Sequence, residues 1–216
     1  MTPSFSIPLW TDLLAVAIGG VQGALYASQL RERRLDLLGV AIVGTATGLG
    51  GGLLRDIFLG VPPVAFGSNW YLPVAVAAAI VGMLLQQVFS RLDFTITALD
   101  ALTIGLFGAI GTSKALSLGL PVIPAVFIGT VSAVGGGVVR DLLLGLPVAL
   151  MHVGSLYAVA AGVGTVLLVA VERFGAPIQV AAIVCVVATT AIRLLAVRYG
   201  WSLPEQRALA ARQPRR

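Results

Sequence analysis

The sequence predicts an all-α integral membrane protein of seven transmembrane helices, in which a three-helix unit is used twice and a seventh helix follows. Three observations carry this prediction. Of 216 residues, 58% are hydrophobic and only 11% charged, against roughly a quarter charged in soluble domains. The apolar runs are long enough to cross a bilayer. One motif occurs twice: Gly50-Gly51-Gly52-Leu53-Leu54-Arg55-Asp56 returns 85 positions later as Gly135-Gly136-Gly137-Val138-Val139-Arg140-Asp141. A glycine costs a helix about 1 kcal/mol against alanine, and a central arginine costs about 2.5–3.5 kcal/mol on insertion scales. A pattern this unfavourable, written twice, marks the working centre of a pseudo-symmetric protein.

Apolar windows of about 20 residues place the spans near 9–29, 36–59, 71–89, 97–116, 122–144, 155–172 and 177–197. The first has no basic residue ahead of it, contains Asp12 and lacks a cleavage site, so it reads as a retained span and not as a signal peptide. The second and fifth hold the two motif copies. The first connection carries Arg31, Arg33 and Arg34, the third carries Arg91, and the second and fourth are uncharged. By the positive-inside rule the amino terminus lies outside and the carboxyl terminus in the cytoplasm. The domain division that follows is a transmembrane domain over 1–198 and a basic cytoplasmic tail over 199–216. That tail, with Arg207, Arg212, Arg215 and Arg216, has little to bury and is expected to be poorly ordered beside anionic lipid. The net charge of +5 thus reflects membrane orientation, not nucleic-acid binding.

The duplication extends beyond the motif. Asp12 aligns with Asp100, Gly20 and Gly23 with Gly108 and Gly111, Gly44-Thr45 with Gly129-Thr130, and Pro62 with Pro147. A unit of three spans repeated at once starts its second copy on the opposite side, which predicts inverted repeats over about 9–89 and 97–172. Such pairs build pathways at their interface from interrupted helices.

Breaking the helices at Gly50–Gly52 and Gly135–Gly137 would free the carbonyls of Ala46, Thr47, Gly48 and of Val131, Ser132, Ala133. With the hydroxyls of Thr45, Thr47, Thr130 and Ser132 these oxygens suit alkali cations. The competing reading is that the glycines serve close helix packing; the duplicated triplet favours a kink. Arg55-Asp56 and Arg140-Asp141 are neighbours on a helix and do not face each other, so each is expected to pair across helices or to reach an interface, as a gate or a structural lock. Lys114 is the chain's one lysine and stands where the first repeat has Tyr26. It reads as a cation that regulates passing ions or snorkels. Asp12 and Asp100 read as helix-start carboxylates, Glu172 and Arg193 as snorkelling residues, and His152 as interfacial.

No nucleophile with a base, no metal-ligand spacing and no phosphate loop is present in the sequence, and the lone Cys185 excludes an intrachain disulfide. An enzyme and a resident cofactor or metal are not expected.

The paired signatures, each followed by Gly60-Val61-Pro62 or Gly145-Leu146-Pro147, resemble the prokaryotic trimeric intracellular cation channels, over about 10–197. The bacterial branch is also catalogued as a glycine transporter domain. The resemblance implies seven helices as two inverted repeats plus one, a homotrimer in the bacterial inner membrane, and a potassium and sodium pore in each protomer lined by the second and fifth helices. Animal members carry a lysine-containing motif on the second span; this chain has no lysine there. Membrane lipids are expected partners between protomers or at grooves lined by Gly105, Gly108 and Gly111. The first functional reading is therefore a passive monovalent cation channel, and the alternative a secondary transporter of a small zwitterion such as glycine.

Overall fold

A computed structural model of the protein describes residues 8–30, 34–89, 93–151 and 156–203. His152, Arg31, Arg33, Arg91 and the tail beyond 203 lie outside the described residues. Among those described there is no strand, and seven long helices follow one another: α1 (Leu9–Gln29), α2 (Leu37–Phe58), α3 (Tyr71–Phe89), α4 (Asp93–Ser117), α5 (Val122–Leu143), α6 (Tyr157–Arg173) and α7 (Ile178–Tyr199). By length and composition, five of them, α1, α2, α4, α5 and α7, are long and apolar enough to cross a membrane. The protein is an integral membrane protein, and its outer surface agrees: Leu37, Ile42, Leu84, Ile123, Phe127 and Ile183 are exposed while Asp12, Arg55, Asp56, Arg140 and Asp141 are buried.

Local chemistry sets the helix ends. Pro8, Pro121 and Pro177 cap the starts of α1, α5 and α7, where a missing N–H costs nothing. Asp36 caps α2 by accepting from the Gly39 amide at 2.7 Å. At the ends of α2 and α5 the matched glycines adopt positive φ, +67° at Gly60 and +59° at Gly145. This closes a Schellman turn: the Val61 amide donates to the Asp56 carbonyl at 3.1 Å, and the Leu146 amide to the Asp141 carbonyl at 2.8 Å. Pro62 and Pro147 then prevent the helix from resuming. The Gly-x-Pro of each signature is a helix stop.

Helices α2 and α5 pack against each other at the centre. Helix α1 packs on α2 and α3, and α4 correspondingly on α5 and α6; α7 lies against α4 and α6. The α2–α5 contact is isologous. Gly50 faces Gly136 as Gly135 faces Gly51, and a Cβ built on Gly51 would collide with the Ser132 carbonyl just as one on Gly136 would lie 2.5 Å from the Thr47 carbonyl. Pairs that exchange roles in this way imply a local two-fold relation between the repeats.

The glycine triplets do not break their helices. Helix α2 runs uninterrupted through Gly50–Gly52 and α5 through Gly135–Gly137, so the expected unwound turn and its freed carbonyls are not formed. Close packing explains the residues instead: a side chain at Gly51 or Gly136 would hold α2 and α5 apart, and within lipid small residues let backbones approach where no hydrophobic force drives them together. The same reasoning corrects the expected lipid groove on α4. A Cβ on Gly105 would lie 3.0 Å from Val186 of α7 and one on Gly111 2.7 Å from Ser132 of α5, so protein already fills that face.

The three glycines of one triplet are therefore not equivalent. A Cβ on Gly52 would meet nothing nearer than Arg55 Nη2 at 3.8 Å. Gly51→Ala is expected to destabilise by about 1–3 kcal/mol through overpacking, whereas Gly52→Ala is expected to be neutral or to gain up to about 1 kcal/mol of helix propensity. Thermal unfolding of the two variants in detergent measures the difference; equal loss at both positions would refute the packing account.

Candidate functional site

Two charge clusters are built from matched positions. In the first, at the end of α2, the Arg55 side chain curls over its own neighbour: Nε donates to Asp56 Oδ1 at 2.8 Å and Nη2 to Asp56 Oδ2 at 3.2 Å. Arg55 Nη1 also lies 3.5 Å from Asp12 Oδ1 on α1, and the Tyr71 hydroxyl of α3 donates to Asp12 Oδ2 at 2.7 Å. Asp56 accepts as well from Lys114 Nζ of α4 at 2.7 Å and, beyond the helix stop, from the Val64 amide at 2.9 Å. That last bond folds the connection back, so that Val64–Gly67 forms a single helical turn against the carboxylate.

The second cluster repeats this at the end of α5. Arg140 Nε and Nη2 donate to Asp141 Oδ1 at 3.0 and 2.8 Å, Arg140 Nη1 lies 3.6 Å from Asp100 of α4, and the Tyr157 hydroxyl of α6 lies 3.5 Å from Asp100 Oδ1. The Ala149 amide donates to Asp141 Oδ2 at 2.9 Å, at the 3₁₀ turn Ala149–Met151. The symmetry fails at one place. Where the first cluster receives Lys114, the second receives its counterpart Tyr26, whose ring carries the Arg140 guanidinium 4.0 Å from its centroid. Arg193 of α7 lies 3.4 Å from Asp100 Oδ2 and 4.8 Å from the Tyr157 ring centroid, and Gln22 donates to Asp100 Oδ1 at 3.3 Å.

Four expectations change. Arg55 and Asp56, like Arg140 and Asp141, do pair with each other, because the long arginine stem turns back where a helix surface alone would keep neighbours apart. Asp12 does stand in the first turn of α1 and is an ion-pair partner as well; Asp100 is an ion-pair partner only, well inside α4, which starts at Asp93. Lys114 neither snorkels nor stands free but holds Asp56. Arg193 turns inward, with its side chain only 11% exposed. The aromatic members Tyr71 and Tyr157 were legible only by extending the repeat alignment, since nothing in their local sequence marks them.

The clusters differ in openness. Around the first, Asp12, Gly52, Arg55, Tyr71 and Phe107 enclose a space of about 10 Å³, room for a single water at most. Around the second, Gln22, Tyr26, Asp100, Arg140, Tyr157 and Arg193 line a cavity of about 310 Å³. Thr47 and Ser132 turn only their carbonyls to the α2–α5 crossing, and their side chains face Gly23 of α1 and Gly111 of α4. The Thr47 hydroxyl donates to the Val43 carbonyl and that of Thr130, beside Thr165 of α6, to Val126, the Ser132 hydroxyl is buried without a hydrogen-bond partner, and Thr45 is half-buried.

This arrangement has relatives. The family described as Glycine transporter matches residues 9–87 and 97–173. The chain is 32% identical over 199 residues to the UPF0126 inner membrane protein YadS of Escherichia coli strain K12, covering 90% of this chain and 94% of that one. It superposes on the TRIC trimeric intracellular cation channel orthologue from Rhodobacter sphaeroides with a TM-score of 0.80 and 30% identity, over 89% of this chain and 98% of that one. The chain belongs to the TRIC channel family. A second TRIC structure, from work on conductance through TRIC cation channels, matches this TRIC-family chain with a TM-score of 0.81 and 29% identity over 93% of its length and 98% of the other's. The family match falls in two pieces, one over α1–α3 and one over α4–α6, leaving α7 outside.

Because Asp56 serves two cations and a backbone amide, Asp56→Ala strands buried charge and is expected to cost about 3–5 kcal/mol. Asp36→Ala, which removes only an exposed helix cap, is expected to cost about 1 kcal/mol. Unfolding of both variants in detergent tests this; a cap variant as damaging as Asp56→Ala would contradict the cluster's structural weight.

Proposed function

We propose that the protein is a passive channel for monovalent cations, potassium and sodium, with a pathway inside each protomer of a homotrimer in the bacterial inner membrane. The observation that carries this reading is the pair of buried charge clusters at the ends of α2 and α5, one of them bordering an open cavity, in a chain that shares its fold with TRIC cation channels at 29–30% identity. Three crossings per repeat would invert the second unit relative to the first, and the basic connections favour an outside amino terminus and a cytoplasmic carboxyl terminus. Residues 1–198 then form the channel domain, with 199–216 as a basic tail.

In this reading Gly50, Gly51, Gly135 and Gly136 narrow the pathway by bringing two backbones together, while Gly52 and Gly137 lie beside Phe107 and Tyr157 and leave room for those rings. Of the expected oxygens, the carbonyls of Thr47 and Ser132 face the crossing and are the ones assigned to a partly dehydrated ion, as carbonyl rings serve in selective pores, whereas the hydroxyls of Thr47, Thr130 and Ser132 turn to α1, α6 and α4. Arg55, Asp56, Arg140 and Asp141 lock the pathway's ends. Lys114 is the gate, because its 2.7 Å bond to Asp56 ties α4 to the end of α2 at the cluster that has no open cavity. Lipids surround the trimer and hold no assigned place within the pathway.

Recording from purified protein in planar bilayers under a potassium chloride gradient is expected to give discrete cation-selective currents. Lys114→Gln, which releases Asp56 from α4, is expected to raise open probability several-fold. Silence, together with saturable glycine uptake into vesicles made from the same preparation, would overturn the channel in favour of a transporter.

A further inference from the structure

The two clusters carry the same charges from different sources. The first holds Asp12 and Asp56 against Arg55 and Lys114; the second holds Asp100 and Asp141 against Arg140 and Arg193. Among the described residues each has two carboxylates and two cations. In the first the second cation comes from α4. At the matched position of the second cluster Tyr26 replaces it, and a repeat-only protein would be left there with one net negative charge. The missing cation is supplied by α7, the helix outside the repeat, whose Arg193 guanidinium reaches Asp100 at 3.4 Å across the face of Tyr157.

This cluster, unlike the first, borders a cavity of about 310 Å³, large enough for a hydrated ion, and both Asp100 and Arg193 line it. A net negative charge in such a space would attract a divalent cation about twice as strongly as a monovalent one, by charge alone, and a tightly held divalent ion blocks a pathway that must release what it binds. We propose that Arg193 is a selectivity-determining residue: from α7 it neutralises Asp100, so that the cavity admits monovalent cations without retaining divalent ones. The inference rests on the channel reading for its consequence, but the charge balance can be tested apart from it.

The probes are calcium and potassium ions. With Arg193→Gln, calcium is expected to bind the purified protein on the order of tenfold more tightly than it binds the unaltered protein, read as a calcium-dependent rise in unfolding temperature. In bilayers the same variant is expected to show calcium block of the potassium current at concentrations that leave the unaltered channel open. Arg193→Lys should restore calcium insensitivity, and the double change Asp100→Asn with Arg193→Gln, which is neutral again, should do likewise. A residue that merely braced α7 would lower stability in every variant without creating calcium dependence. Should Arg193→Gln not fold, Asp100→Asn alone inverts the test: its cavity gains a positive charge, and the reversal potential is expected to move toward that of chloride. Calcium responses equal to those of the unaltered protein in Arg193→Gln, or an unmoved reversal potential in Asp100→Asn, would overturn the proposal. Calcium-dependent stabilisation of Arg193→Gln in a protein that carries no current would uphold the charge balance and refute the channel.

Discussion

Two arginine–aspartate pairs, one at the end of α2 and one at the end of α5, hold the rest of the structure in place. Each aspartate is at most 2% exposed and each arginine at most 3%, and ions so far withdrawn from bulk water are costly unless they are paired and hydrogen-bonded. That requirement recruits the neighbours. The second carboxylate oxygen captures the amide of Val64 or Ala149 and so folds the following connection against the helix end. The remaining guanidinium nitrogen draws Asp12 or Asp100 from the first helix of the same repeat, and that carboxylate is approached in turn by Tyr71 or Tyr157 from the third. Three helices of each repeat are thereby tied to one point.

The glycines complement this polar framework. Ion pairs fix the ends of α2 and α5, while the close approach of Gly50, Gly51, Gly135 and Gly136 fixes the crossing between them. A larger side chain at the contact would lever the helices apart and move both clusters. Packing of small residues is the means of association available in a solvent as apolar as the side chains themselves, and here it places two backbones against each other about one helical turn before the charged pair of each helix.

Where the duplication is imperfect, the molecule acquires direction. Lys114 joins the first cluster with a short bond to Asp56, while Tyr26 at the matched position offers only an aromatic face, and distances of 3.3–3.6 Å around Asp100 accompany an open cavity. The two clusters accordingly differ in the space beside them, about 10 Å³ at the first and about 310 Å³ at the second. Helix α7 contributes Arg193 to the second cluster.

Much of this was legible in the sequence. The spans follow from apolar length, and the observed helices match the expected windows within a few residues, with α4 starting four residues early at Asp93. The duplicated signature located the centre, and Gly-x-Pro after each copy marked a stop that the structure realises as a Schellman turn. These features depend on local chemistry or on bilayer thickness, which act on a residue wherever the chain goes. What the tertiary structure alone decided is who meets whom. Whether a glycine triplet breaks a helix or admits a neighbour depends on whether another backbone stands opposite, and Ser132 and Thr47 stand there. Whether Arg193 snorkels or turns inward depends on Asp100, 93 positions away. Whether Lys114 is free depends on Asp56, 58 positions away. Ion pairs of this kind are set by distance in space, and no property of either residue or its sequence neighbours encodes that distance.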